Sequence, residues 1–396
     1  MSRLNADNLS RKAAIVGIGA TEFSKDSGRS ELRLAVESVK TALDDAGLSV
    51  RDVDGLTTYT MDTNPEVQVA NSLGMEGLTF LSRVHYGGGA PCALIHQAAM
   101  AVTTGAADVV VCYRAFNERS GLRFGSGQLS DIQQSNAEAT RYSWTSPFGL
   151  RTPASWVAMF AQRYLHKYGA TTEAFGQVAV ACRKHAATNP AAHFYERPIT
   201  LEDHHNSRWI SEPIRLFDCC QETDGGQALV VTTLDRARDL AQRPAVIAAV
   251  AQGSAPQQQQ MTSYYRDDLT GLPEMALVAE QMYRSSGLSA DDIDAAVLYD
   301  HFTPFVLYQL EELGFCGKGE APDFVKDGNI EIGGRLPVNT HGGQLGEAYL
   351  HGMNGIAEGV RQIRGTAVNQ LDNLNTVLVT GGTGIPTSGL ILEQPQ

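Results

Sequence analysis

The chain has 396 residues, is 43% hydrophobic and carries a formal net charge of −13. That length suits two domains, or two halves sharing a core. The acidic balance excludes nucleic acid as a partner, because phosphate recognition needs clustered Lys and Arg, while a local basic patch still leaves room for an anionic ligand. Cys92, Cys112, Cys182, Cys219, Cys220 and Cys316 form no C-x-x-C pair and have no zinc-like spacing, so neither a disulfide framework nor a metal site is expected and the cytoplasm is the expected compartment. The N-terminal segment has no long apolar stretch after its basic residues, and no run is long enough to span a bilayer, so neither a signal peptide nor a membrane span is expected.

In chain order, AAIVGIGA at Ala13–Ala20 reads as a buried strand ending in a glycine turn. Ser30–Ala46 has helical periodicity and stops at Gly47, a residue suited to the left-handed C′ position. A short strand follows at Leu56–Thr60, then the glycine run Gly87–Gly89, a small-residue helix over Ala90–Thr104 and a buried strand, ADVVVCYRA. Between Asn117 and Cys220 lies a long insertion with two amphipathic helical stretches, ASWVAMFAQRYLHKYG and TEAFGQVAVACRKHAATNP. It suits an apolar lid over a ligand tail or a packed helical subdomain equally well.

From Pro244 the scheme repeats. A strand leads to a helix over Pro273–Ser286 stopped by Gly287, then to a strand at Ala295–Phe302. A glycine pair and small-residue helix from His341 follow, and Thr376–Gly384 is a closing strand. The copies match in register: GLSVRDVDGLTTY at Gly47–Tyr59 aligns with GLSADDIDAAVLY at Gly287–Tyr299, an offset of 240 (287 minus 47, 299 minus 59). We read this as an internal duplication, with halves at 1–243, including the insertion at about 117–220, and 244–396. GIGATEF lacks the third glycine of a dinucleotide-binding turn, and His204 and His205 have no third metal ligand at convincing spacing.

The duplicated β/α plan, together with HKYGATTEAF, VACRKHAATNP, PITLED, ISEPIRLFDCC and TDGGQALVV, resembles the sterol-carrier-protein type of thiolase and its lipid-transfer relatives over roughly Lys12–Leu392. The resemblance implies an α/β thiolase fold: two duplicated βαβαβαββ halves in a layered α-β-α-β-α arrangement with a helical loop insertion. Family thiolases use a nucleophilic cysteine, an acid/base cysteine, an Asn or His on an NEAF or HDCF turn, and the His of a GHP motif. Here the nucleophile position is Gly88, seventeen residues before Gly105; Cys92 falls one turn into the helix and reads as a small buried hydrophobe. The acid/base cysteine corresponds to Leu378 in LVTGGTG, the turn residue to Tyr299 of YDHF, and the motif His to Tyr349, six residues after Gly343.

Without a thiolate at the family's nucleophile position there should be no acyl-enzyme, which argues against thiolytic chemistry. A frame that still stabilises an enolate, with a phenol pair added, suits aldol cleavage of a β-hydroxyacyl-CoA. The sequence is similar to the lipid-transfer-protein-type steroid side-chain aldolases of bacteria. That resemblance implies a lyase that cleaves a 17-hydroxy steroid side-chain CoA thioester to a 17-ketosteroid and a short acyl-CoA such as propanoyl-CoA. It also implies a homodimer core joined by a small OB-fold, zinc-ribbon partner into a heterotetramer, and no bound cofactor beyond the CoA of the substrate. The catalytic pair is then Tyr299 and Tyr349, with His301, Asp300 and His351 in support and Gly88, Gly343, Gly381 and Gly382 lining the substrate. Two other readings stand beside it: a non-catalytic acyl-CoA or lipid-binding thiolase-like subunit, and a thiolase with a relocated cysteine.

Overall fold

The structure is a computed structural model and describes residues 9–123, 140, 142–382 and 384–395. Part of the insertion, the first eight residues and Thr383 of the closing glycine motif lie outside the described residues. The buried apolar segments form strands β1 (Ala13–Ala20), β2 (Gly55–Tyr59), β3 (Phe80–Val84), β4 (Val109–Asn117), β5 (Asp224–Thr233), β6 (Ala245–Gly253), β7 (Ala295–Val297), β8 (Thr376–Thr380) and β9 (Thr387–Glu393). They hydrogen-bond in the order β3-β2-β4-β5-β1-β6-β9-β8-β7.

That order is mirrored about the β1–β6 junction, where Ala14 lies antiparallel to Val246. On one side β2 and β4 run parallel and β4 pairs antiparallel with β5. On the other, β7 and β8 run parallel and β8 pairs antiparallel with β9. The counterpart of β3 is reduced to one isolated parallel bridge, Ala296 to Val338. The repeated sequence makes the same local structure twice. Gly47 and Gly287 end their helices with φ of 70° and 76°. Ser49–Asp52 and Ser289–Asp292 then form matching capped turns in which the Asp side chain accepts the Ser backbone N–H. Asp54 and Asp294 next accept backbone N–H groups at the starts of β4 and β8. Short carboxylate caps of this kind are what the shared GLS and Asp residues encode.

The main helices are α1 (Glu31–Ala46), α2 (Pro91–Thr104), α3 (Pro153–Tyr168), α4 (Glu173–Ala187), α5 (Pro273–Ser286), α6 (Thr303–Glu312) and α7 (Met353–Arg364). Side chains alternate across each strand, so a strand covered on both faces reads as a continuous apolar run. Val109 and Val111 join the cluster under Leu34, Val39 and Leu43 of α1, whereas Val110 faces the middle layer. That middle layer holds Leu94, Ile95 and Ala98 of α2 and Ile356 and Val360 of α7, between strands of both halves. Leu378 points the other way, into an outer cluster with Phe160 and Tyr164 of α3, Phe175 and Val178 of α4, Val278 of α5 and Phe305 of α6. This layering fits the α/β thiolase fold that the resemblance implies, with the two halves joined into one nine-stranded sheet through the β1–β6 pairing. Helices α3 and α4 of the insertion are thus part of the outer core, each buried large side chain contributing on the order of 1.5–3 kcal/mol. Within the insertion, buried His204 lies 2.8 Å from Asp218, which also accepts the Thr303 hydroxyl at 2.7 Å and so fastens the insertion to α6.

The segment read as one strand over Ala295–Phe302 pairs only as far as Val297. Beyond it, side-chain amides replace the neighbouring strand. Asn339 accepts the Leu298 N–H at 2.8 Å and donates to the Leu298 carbonyl at 3.0 Å. Gln309 donates to the Tyr299 carbonyl at 2.9 Å, and Thr380 Oγ1 accepts the Tyr299 N–H at 2.9 Å. Every backbone group of Leu298 and Tyr299 is therefore bonded in a buried setting where an unpaired one would be costly.

Candidate active site

These clamps fix where the Tyr299 ring points. Its hydroxyl is hydrogen-bonded to Tyr349 Oη at 3.2 Å. The ring is boxed by glycines. A Cβ built on Gly88 would lie 2.3 Å from Tyr299 Oη, one on Gly382 would lie 2.3 Å from its ring, and one on Gly352 would lie 3.1 Å away. Gly88 stands in the turn before α2 and Gly352 caps α7 with φ of 85°. Two helix N-termini, each a source of positive potential, converge on the phenol and favour negative charge developing there. The Gly382 N–H donates to the Gly88 carbonyl at 2.6 Å, closing the box.

Tyr349 follows the short helix Gly343–Gly346. Its backbone N–H donates to Thr223 Oγ1 at 3.2 Å, and its ring packs edge-on to Phe116 and against His351. Tyr299 is only 3% exposed, whereas Tyr349 is partly open to solvent. Burial pushes both phenols well above their ordinary value, and the proximity of each to the other adds to this at Tyr349. Both are therefore neutral at physiological pH. His351, with φ of 50°, is held on one side by Arg114 Nε, which donates to its Nδ1 at 3.2 Å. Its imidazole is accordingly neutral with the proton on Nε2, and burial and Arg114 push its pKa well down. Tyr59, the duplicate of Tyr299, donates its hydroxyl to the His351 carbonyl at 3.2 Å.

Of the supporting residues, His301 packs against the Tyr299 ring at 5.0 Å and is brought to the site. Burial lowers its pKa to about 3, so it too is neutral. Asp300 points away. Its carboxylate accepts the Gln344 N–H at 2.8 Å and the Leu345 N–H at 3.3 Å, capping the Gly343–Gly346 turn. Gly343 belongs to that cap, since a Cβ there would lie 1.9 Å from the Asp300 carboxylate. These two residues shape the backbone that carries Tyr349. Gly381 packs on Ser388 and the Gly89 carbonyl, one residue behind the box. Cys92 is fully buried in α2, its thiol directed at the Val379 carbonyl and its pKa pushed up by burial.

Sequence reasoning missed Arg114, Glu118 and Cys220. Arg114 is 1% exposed, pairs with Asp62 at 3.0 Å and sits over the Phe116 ring at 4.1 Å. The signal was visible: an Arg inside the apolar run VVVCYRA must be paired, because an isolated buried charge is prohibitive. Glu118 and Cys220 gave no motif and become visible only once β4 and the segment before β5 meet beside the phenols. Removing one partner of the ion pair, as in Asp62→Ala, should cost about 3–5 kcal/mol in urea unfolding because Arg114 is left buried and uncompensated. An unchanged denaturation midpoint would contradict this placement.

The family described as thiolase C-terminal domain-like matches residues 253–394. The chain is 67% identical to a steroid side-chain-cleaving aldolase of Thermomonospora curvata, over 96% of this chain and 97% of that one. It is 66% identical to a 17-hydroxy-3-oxo-4-pregnene-20-carboxyl-CoA lyase of Mycobacterium tuberculosis, over 97% of this chain and all of that one (100%). Among solved structures, an Ltp2-ChsH2(DUF35) aldolase superposes with a TM-score of 0.94 at 65% identity, covering 98% of each chain.

Proposed function

The chain belongs to the thiolase superfamily, in its sterol-carrier-protein-type aldolase branch, and from that premise we propose that it is a carbon–carbon lyase cleaving a 17-hydroxy steroid side-chain CoA thioester by a retro-aldol reaction. The products are a 17-ketosteroid and a short acyl-CoA such as propanoyl-CoA. The observation that carries the chemistry is the 3.2 Å hydrogen bond between two neutral phenols at the mouth of two helix N-termini. No thiol occupies the family's nucleophile or acid/base position, where Gly88 and Leu378 stand.

Neither phenol is ionised at rest, so neither is a free base. The pair instead moves a proton in a relay. The β-hydroxyl of the substrate gives its proton to one phenol oxygen as the bond between the β- and α-carbons breaks. The first phenol passes its own proton across the hydrogen bond, and the second delivers a proton to the α-carbon of the enolate. The β-carbon becomes a ketone and the acyl-CoA leaves saturated, with no proton, electron or free CoA gained or lost. His301 and His351, both neutral, hold the rings in place without competing for the proton. We further propose a homodimer core joined by a small OB-fold, zinc-ribbon partner and a cytoplasmic location; a two-component relative, the Ltp2-ChsH2(DUF35) aldolase, supports a partner protein. Among the described residues no helix is long and apolar enough to cross a membrane.

Incubation with a 17-hydroxy steroid CoA thioester, with the partner protein present, should yield equal amounts of ketone and short acyl-CoA by mass spectrometry. Stoichiometric consumption of free CoA would rule the reaction out. The buried imidazoles also set a pH dependence. His301 has a folded-state pKa of about 3 against an ordinary value of about 6.5. Between these values the unfolded chain binds more protons, so stability falls as pH drops from about 6.5 toward 3. Urea midpoints measured across that range should decline, and His301→Asn should flatten the slope; an identical slope in the variant would show that His301 does not supply it.

A further inference from the structure

The carboxyl of Glu118 has no place in the relay above, yet it is 3% exposed at the end of β4. The backbone of Thr223 lies beside it and favours its charged form, and the Thr223 hydroxyl accepts the Tyr349 N–H. The Glu118 oxygen Oε2 is enclosed and makes no hydrogen bond within the protein. A buried carboxyl oxygen without a partner is costly unless something else supplies one. Both phenols and the Cys220 thiol lie within electrostatic reach of the Glu118 carboxyl.

We propose that Glu118 is a third catalytic residue of the aldol cleavage, its carboxylic acid O–H donating to the thioester carbonyl oxygen of the acyl-CoA and stabilising the enolate as the carbon–carbon bond breaks. This rests on the aldol reading and extends it. The groups facing the carboxyl are Arg114 from β4, Lys25 from the loop after β1, Glu222 and Cys220 from the segment before β5, and the two phenols. Burial, reinforced by Glu222, pushes the carboxyl well above the usual range against the opposing pull of Arg114 and Lys25. A neutral acid in such a site can donate a hydrogen bond that a carboxylate cannot, which is how an apolar pocket turns a carboxyl into an oxyanion-stabilising group. The division of labour follows. The two tyrosines pass the proton from the β-hydroxyl to the α-carbon, and Glu118 holds the negative charge on the thioester oxygen meanwhile.

The test uses the complex with its partner protein and a 17-hydroxy steroid CoA thioester. Glu118→Ala should lower kcat by about 100-fold or more with KM little changed. Glu118→Gln keeps a donor and the Thr223 contact, so it should retain most of the rate, and any loss of activity at alkaline pH caused by Glu118 ionising should vanish. Infrared difference spectra of wild type minus Glu118→Gln should show a protonated-carboxyl band at neutral pH that shifts when a non-cleavable acyl-CoA binds. Wild-type kcat in both variants, or a carboxylate band with no shift on binding, would overturn the role of Glu118 alone. Glu118→Gln as inactive as Glu118→Ala would make the group a proton carrier and overturn the donor assignment. A wild-type complex that cleaves nothing would instead overturn the reaction itself.

Discussion

Tyr349→Phe and Tyr299→Phe should each lower kcat for cleavage by about 10²–10⁴-fold, the range expected when a positioned proton-transfer group is lost. The two substitutions should differ in stability. Tyr299 is buried and its hydroxyl is bonded to Tyr349. Removing the Tyr349 hydroxyl therefore leaves a buried donor without its partner, a loss of about 1–3 kcal/mol. Removing the Tyr299 hydroxyl leaves Tyr349 able to turn to water, because Tyr349 is partly exposed, and the stability cost should be smaller. Binding of the acyl-CoA should survive in both, so a KM near wild type with a collapsed kcat is the expected signature. Cys92→Ala serves as the control. Its thiol is enclosed in the helix and held protonated by burial, so cleavage should persist. Full cleavage by either phenylalanine variant would remove that phenol from the chemistry, and loss of activity in Cys92→Ala would point to the cysteine instead.

The fold was legible because its signals are periodic and doubled. Glycine-ended helices, continuous apolar strands and the Gly47–Tyr59 echo at Gly287–Tyr299 each reappear as structure. The end of β7 was not legible, because Leu298 and Tyr299 remain strand-like in sequence while their partners are the side chains of Asn339, Gln309 and Thr380, far along the chain. The same reason hid the role of Asp300. Strand alternation turns Asp300 to the face opposite Tyr299, but only the fold shows that its carboxylate is drawn to the N–H groups of Gln344 and Leu345. At the site, Tyr299 and Tyr349 were found by motif offset, which carries position and no contact. Their mutual hydrogen bond needed the two halves to close on each other. Arg114 was overlooked although its charge stood out among valines; Glu118 was overlooked because one glutamate after a strand is ordinary until burial is known.

The absence of a side chain at residue 88 is what makes room for the Tyr299 phenol, and Gly88→Ala should expose that. A Cβ at residue 88 would fall 2.3 Å from Tyr299 Oη and 2.6 Å from the ring carbon that bears it. The ring cannot retreat freely, since Gly382 and Gly352 close on its other edges. One added methyl must therefore push the hydroxyl off Tyr349, costing about 1–3 kcal/mol as overpacking and reducing cleavage as severely as Tyr299→Phe. A cysteine at the same place, Gly88→Cys, should yield no thiolase, for it meets the same ring, and Leu378, an apolar residue turned into the outer cluster, offers no acid/base group. Shortening the tyrosine should repair the packing but not the chemistry: Gly88→Ala combined with Tyr299→Asn should be more stable than the two separate losses added together. A coupling of about 0.5–3 kcal/mol is the scale for side chains in direct contact. Thermal unfolding of the four members of the cycle measures that coupling, and turnover by mass spectrometry measures the rest. Additive stabilities, or a Gly88→Ala chain that cleaves at the wild-type rate, would mean that the phenol does not depend on the space at residue 88.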